Sequence, residues 1–254
     1  GKGVTQDYSK AIEWYKKAAE NGNIQEQRNM GARYRYGYDE VTQDYSKAIE
    51  WFKKAAENED VYAQDSLGDM YYKGEGVTQN YSKAIKWYKK ATENEDIYAE
   101  YAQNSLGNMY YKGEGVKRDY SKAFKWYKKA TENGNDKAPM KLGDMYYDGK
   151  GVTQNYSKAI EWYKKATENG NDEAPMKLGD MYYYGEGVTK DYSKAFKWYE
   201  KAAESGNDYA KIKLGDMYIS GEGVKRDYSK AFKWYQKPAL NGNDDAQCML
   251  GTMY

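Results

Sequence analysis

The chain has 254 residues with 40 basic and 39 acidic side chains, a net charge of +1. No broad basic field is therefore present to hold nucleic acid or an anionic membrane. Histidine is absent and Cys248 is the single cysteine, which excludes a histidine acid–base, an intrachain disulfide and a Cys/His zinc site. No run of about 18 apolar residues is available for a membrane span, and no signal peptide is visible. The mean hydropathy of −1.14 resembles that of a disordered chain. The 31 tyrosines correct that impression, because each scores as nearly polar while carrying a large apolar ring.

The chain opens in a loop phrase, Gly1-Lys2-Gly3-Val4, and runs into the first of seven copies of one helical phrase. All seven tryptophans sit in it: Trp14, Trp51, Trp87, Trp126, Trp162, Trp198 and Trp234, separated by 37, 36, 39, 36, 36 and 36 residues. A fixed period in the 20–50 residue range marks an array of supersecondary units, each contacting mainly its neighbours. One elongated domain over residues 1–254 is expected. The chain stops inside a helical phrase, Leu250-Gly251-Thr252-Met253-Tyr254, so it reads as a piece of a longer array.

Three places depart from the period. In the stretch 25–41, Glu26 and Met30 replace the usual alanine and leucine, and the loop Tyr36-Gly37-Tyr38-Asp39-Glu40 is one residue longer and lacks its second glycine. In Ile97-Tyr98-Ala99-Glu100-Tyr101-Ala102, three inserted residues are expected to lengthen the helix start by almost a turn and to bulge into the groove. Pro238 replaces an alanine four residues after Trp234, and its missing amide is expected to kink or end that helix.

The regular unit is clearest over 136–170. Ala138, Leu142, Met145 and Tyr146 fall on one face of a first helix. Asn135 or Asp136 can cap it, and Pro139 is tolerable in its first turn. A glycine stop follows in Gly149-Lys150-Gly151. Asn155 caps a second helix whose inner face is Tyr156, Ala159, Ile160, Tyr163 and Ala166, with Trp162 at the edge and lysines outside. Gly143 and its equivalents Gly31, Gly68, Gly107, Gly179, Gly215 and Gly251 lie mid-helix, where glycine costs about 1 kcal/mol relative to alanine. A cost repeated at one position implies close approach of the partner helix.

The pattern Ala-x3-Leu-Gly-x-Met-Tyr-x2-Gly-x-Gly-Val-x2-[Asp/Asn]-Tyr-x-Lys-Ala-x2-Trp-Tyr-x-Lys-Ala resembles the SEL-1-like repeat (SLR) family, relatives of the tetratricopeptide repeats, over essentially the whole chain. The resemblance implies an all-α fold, a right-handed α–α superhelix (solenoid) of about seven helix–turn–helix repeats of about 36 residues. It also implies a concave groove lined by the first helices, and protein interaction rather than catalysis. The disulfides of the cysteine-rich bacterial members have no counterpart here.

No motif points to an enzyme, a cofactor or a metal. Gly74-Glu75-Gly76 and Gly113-Glu114-Gly115 follow a helix, unlike phosphate-binding loops, and read as turns. Asn80-Tyr81-Ser82 and Asn155-Tyr156-Ser157 are glycosylation sequons whose equivalents are Asp-Tyr-Ser, which reads as helix capping. Cys248 is expected to be a buried core thiol. Two columns are the candidate binding residues. Two positions after the leucine of each first helix stand Ala32, Asp69, Asn108, Asp144, Asp180, Asp216 and Thr252; three further on stand Arg35, Tyr72, Tyr111, Tyr147, Tyr183 and Ile219. Facing inward, they form an acidic–aromatic ladder for a protein or peptide with basic or aromatic groups. In the competing reading, Asp is solvated and Tyr packs between units. Arg28, Arg33 and Arg35 change the charge at the N-terminal end. Two functions follow: a non-enzymatic scaffold or adaptor holding a polypeptide in the groove, or a structural array that self-associates end to end through uncapped terminal repeats.

Overall fold

The computed structural model describes residues 7–93 and 98–254. Among them are fourteen helices and no strand. The helices are α1 (Tyr8–Glu20), α2 (Ile24–Tyr36), α3 (Tyr45–Glu57), α4 (Val61–Lys73), α5 (Tyr81–Ala91), α6 (Ala99–Lys112) and α7 (Tyr120–Glu132), then α8 (Ala138–Asp148), α9 (Tyr156–Glu168), α10 (Ala174–Tyr184), α11 (Tyr192–Glu204), α12 (Asp208–Ser220), α13 (Tyr228–Leu240) and α14 (Asp244–Met253). They fall into two compact units, Gly1–Asn135 and Asp136–Tyr254. Each unit is built of helix pairs, in which an even-numbered first helix packs on the odd-numbered second helix that follows it.

The second helices start where the sequence places their caps. The side chains of Asp44, Asn80, Asp119, Asn155, Asp191 and Asp227 each accept the amide of the lysine three residues on, at 2.9–3.0 Å. This satisfies an amide that the helix itself leaves open. α8 starts at Ala138, preceded by Lys137, with Pro139 in its first turn. In the equivalent α10, Asn171 supplies the acceptor from three residues upstream, to Ala174 at 2.9 Å.

The core of each pair is an aromatic ring seated on a glycine, Phe52 on Gly31 in the α2–α3 pair and a tyrosine in the pairs from α4–α5 to α12–α13. Tyr88, Tyr127, Tyr163, Tyr199 and Tyr235 are at most 1% exposed. A Cβ on Gly143 would stand 2.5 Å from Cε1 of Tyr163, so the ring occupies the space an alanine methyl would need. Gly143→Ala is expected to lower the unfolding free energy by about 2 kcal/mol, despite alanine's better helix propensity; a urea melt measures this. Gly76 shows a second close approach. It has φ +70° and its Cβ would lie 2.5 Å from Cβ of Tyr45 in the preceding repeat, so both conformation and space require glycine.

The tryptophans join neighbouring repeats. Trp51, 7% exposed, packs with Met30 and Tyr34 of its own pair's first helix and with Ile12 and Ala19 of α1 in the preceding repeat. Trp87 contributes both to the cluster around Phe52 and Leu67 and to the cluster around Tyr88 and Leu106. Trp198 bridges two clusters of the second unit in the same way. Their outer edges are covered by lysines three residues on, such as Lys54 at 4.2 Å from the Trp51 ring and Lys90 at 5.3 Å from Trp87.

The irregular stretches bring corrections. α13 does not end at Pro238 but continues to Leu240, with Asn241 Nα–H donating to Lys237 O and Asn243 Nα–H to Pro238 O. Proline in a last turn forfeits one bond, and the remaining carbonyls still find partners. Cys248 is exposed, not buried. Its equivalents Met140 and Met176 are buried in clusters with the helices that follow them, α9 and α10 for Met140 and α11 and α12 for Met176. Relative to its leucine, α6 begins one residue earlier than α4. The rest of the inserted stretch, with the expected bulge, lies outside the described residues. In the longer first loop, Asp39 and Glu40 take φ of 55° and 63°, the left-handed conformations that the regular loops give to glycine.

Candidate binding face

The two candidate columns lie on the first helices, half-buried, and both are engaged in hydrogen bonds. Along the first column, Oδ1 of Asp69, Asn108, Asp144, Asp180 and Asp216 accepts the hydroxyl of the core tyrosine 19 residues later: Tyr88 at 2.7 Å, Tyr127 at 2.9 Å, Tyr163 at 3.0 Å, Tyr199 at 2.9 Å and Tyr235 at 2.6 Å. The crossing of the helix pair carries each ring over the glycine and delivers its hydroxyl to the carboxylate one position beyond. Burial pushes the Asp144 and Asp180 carboxyls up from their ordinary range, against the tyrosine hydrogen bond and nearby lysines. The same tyrosine hydroxyls are pushed up chiefly by burial and held protonated beside carboxylates.

The second column links one repeat to the next. Tyr72 donates to Glu114 at 2.7 Å, Tyr147 to Glu186 at 2.9 Å and Tyr183 to Glu222 at 2.7 Å. These glutamates are the middle residues of the Gly-Glu-Gly turns. The rings also pack edge-on or tilted against the first tyrosine of their own second helix: Tyr72 on Tyr81 at 5.3 Å, Tyr111 on Tyr120 at 5.1 Å, Tyr147 on Tyr156 at 5.2 Å and Tyr183 on Tyr192 at 5.0 Å. Arg35 stands in this column in the first unit and does the same work with charge. It is 3% exposed, and its Nε donates to Glu75 at 2.9 Å while Nη2 lies 3.5 Å from Asp69. The other two arginines are paired as well, Arg28 with Asp60 at 3.2 Å and Arg33 with Asp39 at 3.1 Å.

The face is not uniformly acidic. In the second unit Lys141 and Lys177 act on Asp144, and Lys177 and Lys213 act on Asp180. Ser66 and Ser105 stand at the matching positions of α4 and α6. What the sequence columns passed over is a set of exposed rings beside them. Tyr36, Tyr38, Tyr98, Tyr101, Tyr184 and Tyr209 are 42–55% exposed. Tyr184 stacks edge-on against Tyr183 at 5.0 Å, and Lys213 lies 5.1 Å from the Tyr209 ring. Their irregular placement in the repeat, rather than their recurrence, was the available signal.

Among the described residues, no group of His, Cys, Asp and Glu is placed to hold a metal ion. None of their helices is long and apolar enough to cross a membrane.

Helix pairs sealed by an aromatic ring on a glycine and linked by tryptophan and loop glycine to the next pair define a helical-repeat protein of the α–α solenoid class. The chain belongs to the Sel1 repeat family, whose repeat matches residues 1–23, 27–60, 61–96, 100–135, 137–171, 173–207 and 208–243. It is similar to c5321, a protective antigen present in uropathogenic Escherichia coli strains and displaying an SLR fold, with 40% identity and a TM-score of 0.90 over 95% of this chain and 51% of that one. A Sel1 repeat protein from Oxalobacter formigenes is 32% identical with a TM-score of 0.71, over 84% of each chain. The chain thus spans about half the length of the Escherichia coli protein. No curated protein matches it by sequence. Sel1 repeat proteins mediate protein–protein interactions and are as a family scaffolds rather than enzymes.

Proposed function

We propose that this chain is a non-enzymatic scaffold that binds a protein or peptide segment along the first-helix face. The observation that supports it is where rings remain exposed. Among the described residues from α3 through α12, every large aromatic that is exposed lies on a first helix or beside one. The second helices of that stretch present lysines instead, laid over tryptophan edges. Rigid exposed tyrosines flanked by charge are the side chains that anchor a polypeptide at low entropic cost. The half-buried columns have a supporting part in this reading: they fix the helices from which those rings project.

The test is site-specific photocrosslinking, with benzoylphenylalanine placed at Tyr101, Tyr184 or Tyr209, and at Lys128 or Lys164 on the outer helices. Partner crosslinks are expected from the three first-helix positions. A Tyr184→Ser, Tyr209→Ser double variant is expected to bind the crosslinked partner at least about tenfold more weakly. Crosslinks from the outer positions alone would overturn the reading. Crosslinks only between copies of the chain would favour self-association.

A further inference from the structure

We propose that the cleft between α4 and α6 holds a lysine or arginine side chain of the bound polypeptide, with Asp65 as its counter-ion and Asn104 as a second acceptor. The proposal rests on reading the first-helix face as the polypeptide-binding surface.

The argument begins from one position of the repeat. Two residues before the leucine of each first helix, the second unit carries Met140, Met176 and Ile212, of which the two methionines are buried. The same position in α4 and α6, which are neighbouring first helices, carries Asp65 and Asn104. Oδ1 of each is buried, and neither accepts a hydrogen bond from the described residues. An unsatisfied buried acceptor costs about 1–3 kcal/mol, and more when charged. Two such acceptors at equivalent positions on adjacent helices, where α8, α10 and α12 place an apolar side chain and α2 places Arg28, are suited to a donor brought from outside.

The charge balance identifies that donor as a cation. The other carboxylates of this face have partners within the chain: tyrosine hydroxyls throughout, and lysines in the second unit. In α4 and α6 serines replace those lysines. Among the described residues the cation acting on Asp65 is Arg35, which is already paired to Glu75 and lies against Asp69. Tyr62, whose hydroxyl senses the Asp65 charge, supplies a half-buried ring beside it; it meets Tyr98 edge-on at 6.3 Å, and the Arg28 guanidinium, paired with Asp60, lies 5.7 Å from the Tyr62 ring. A methylene stem and its charged head would find both a ring and a carboxylate there. One turn further on, a cavity of about 130 Å³ opens between the same helices, lined by Asp69, Tyr88, Ser105 and Asn108, with Lys73 and Lys112 at its far side toward the helix ends.

The experiment measures fluorescence anisotropy with acetylated, amidated Gly-Ser-Tyr-X-Tyr-Ser-Gly peptides, X being lysine, arginine, norleucine or glutamate. The full chain is expected to bind the lysine and arginine peptides at least about tenfold more tightly than the norleucine peptide. Asp65→Asn, nearly isosteric and checked by circular dichroism, is expected to erase that preference. Glu161→Gln, which removes the same charge from an outer helix, should leave it intact. Equal binding of lysine and norleucine peptides, or a preference that survives Asp65→Asn, overturns the proposal and leaves the first-helix reading standing. Failure of all four peptides to bind the parent chain overturns both. n-Butylammonium should compete only weakly; if it binds as tightly as the lysine peptide, the site takes a free amine and the assignment to a polypeptide falls.

Discussion

Tyr163→Ala is expected to lower the unfolding free energy by about 3–5 kcal/mol, and Tyr163→Phe by about 1–3 kcal/mol. The alanine variant removes a ring that is fully buried and rests on Gly143, leaving a cavity between α8 and α9. The phenylalanine variant keeps the ring and deletes only the hydroxyl that donates to Asp144 at 3.0 Å. Burial already pushes the Asp144 carboxyl up, and the tyrosine hydrogen bond opposes that by favouring the ionised form. Without it the carboxylate is left half-buried and lacking its tyrosine donor. The penalty of the phenylalanine variant should therefore be largest at neutral pH and shrink in acid, as the carboxyl, whose pKa burial raises, takes up its proton. Urea melts at neutral and acid pH measure it. A phenylalanine variant as stable as the parent at both would show that the hydroxyl serves packing alone.

The difference between these two variants also marks how far the sequence could be read. Periodicity places the helices, because apolar spacing, Asx caps and glycine stops are local signals that a repeat writes seven times. The recurring mid-helix glycine even announces a close approach, and the ring that makes it is the tyrosine beside each tryptophan, at Phe52 in the first full pair. The destination of the Asp column is another matter. Whether Asp144 meets a ligand or the Tyr163 hydroxyl depends on the angle and offset at which α8 and α9 cross, and no residue count carries that information. Likewise Tyr147 and Glu186 lie 39 residues apart, and only the stacking of successive repeats brings them to 2.9 Å. Cys248 shows the reverse limit: its position in the repeat is a core position at Met140 and Met176, yet the thiol itself is exposed, because burial is set by the helices packed on a position and not by the position alone. The most informative departures, Asp65 and Asn104, hide within the periodic pattern because they keep the helix and change only the polarity of one inward-facing position.

Asp65→Met is expected to stabilise the protein at neutral pH by about 2–4 kcal/mol, bringing α4 into line with α8 and α10, where Met140 and Met176 are buried. Burial, with a smaller contribution from Asp69, pushes the Asp65 carboxyl from 3.8 up to about 8. In the unfolded chain this group releases its proton near the ordinary value; in the folded chain it keeps it until the higher one. Below both values the two states bind equal protons and nothing is lost. Between them the folded state binds more, so stability falls as pH rises, and it levels off above about pH 8. Urea melts across that window should show this slope in the parent and a flatter profile in both Asp65→Met and Asp65→Asn. A slope that survives both substitutions would place its origin elsewhere. A cation seated against Asp65 acts in the opposite sense, since it favours the ionised carboxyl and draws its pKa down. The bound protein should then lose the slope without any substitution, and the residue that destabilises the free chain becomes the counter-ion of the complex. Asp65→Met would remove that relation: a more stable scaffold that no longer distinguishes a lysine peptide from a norleucine one.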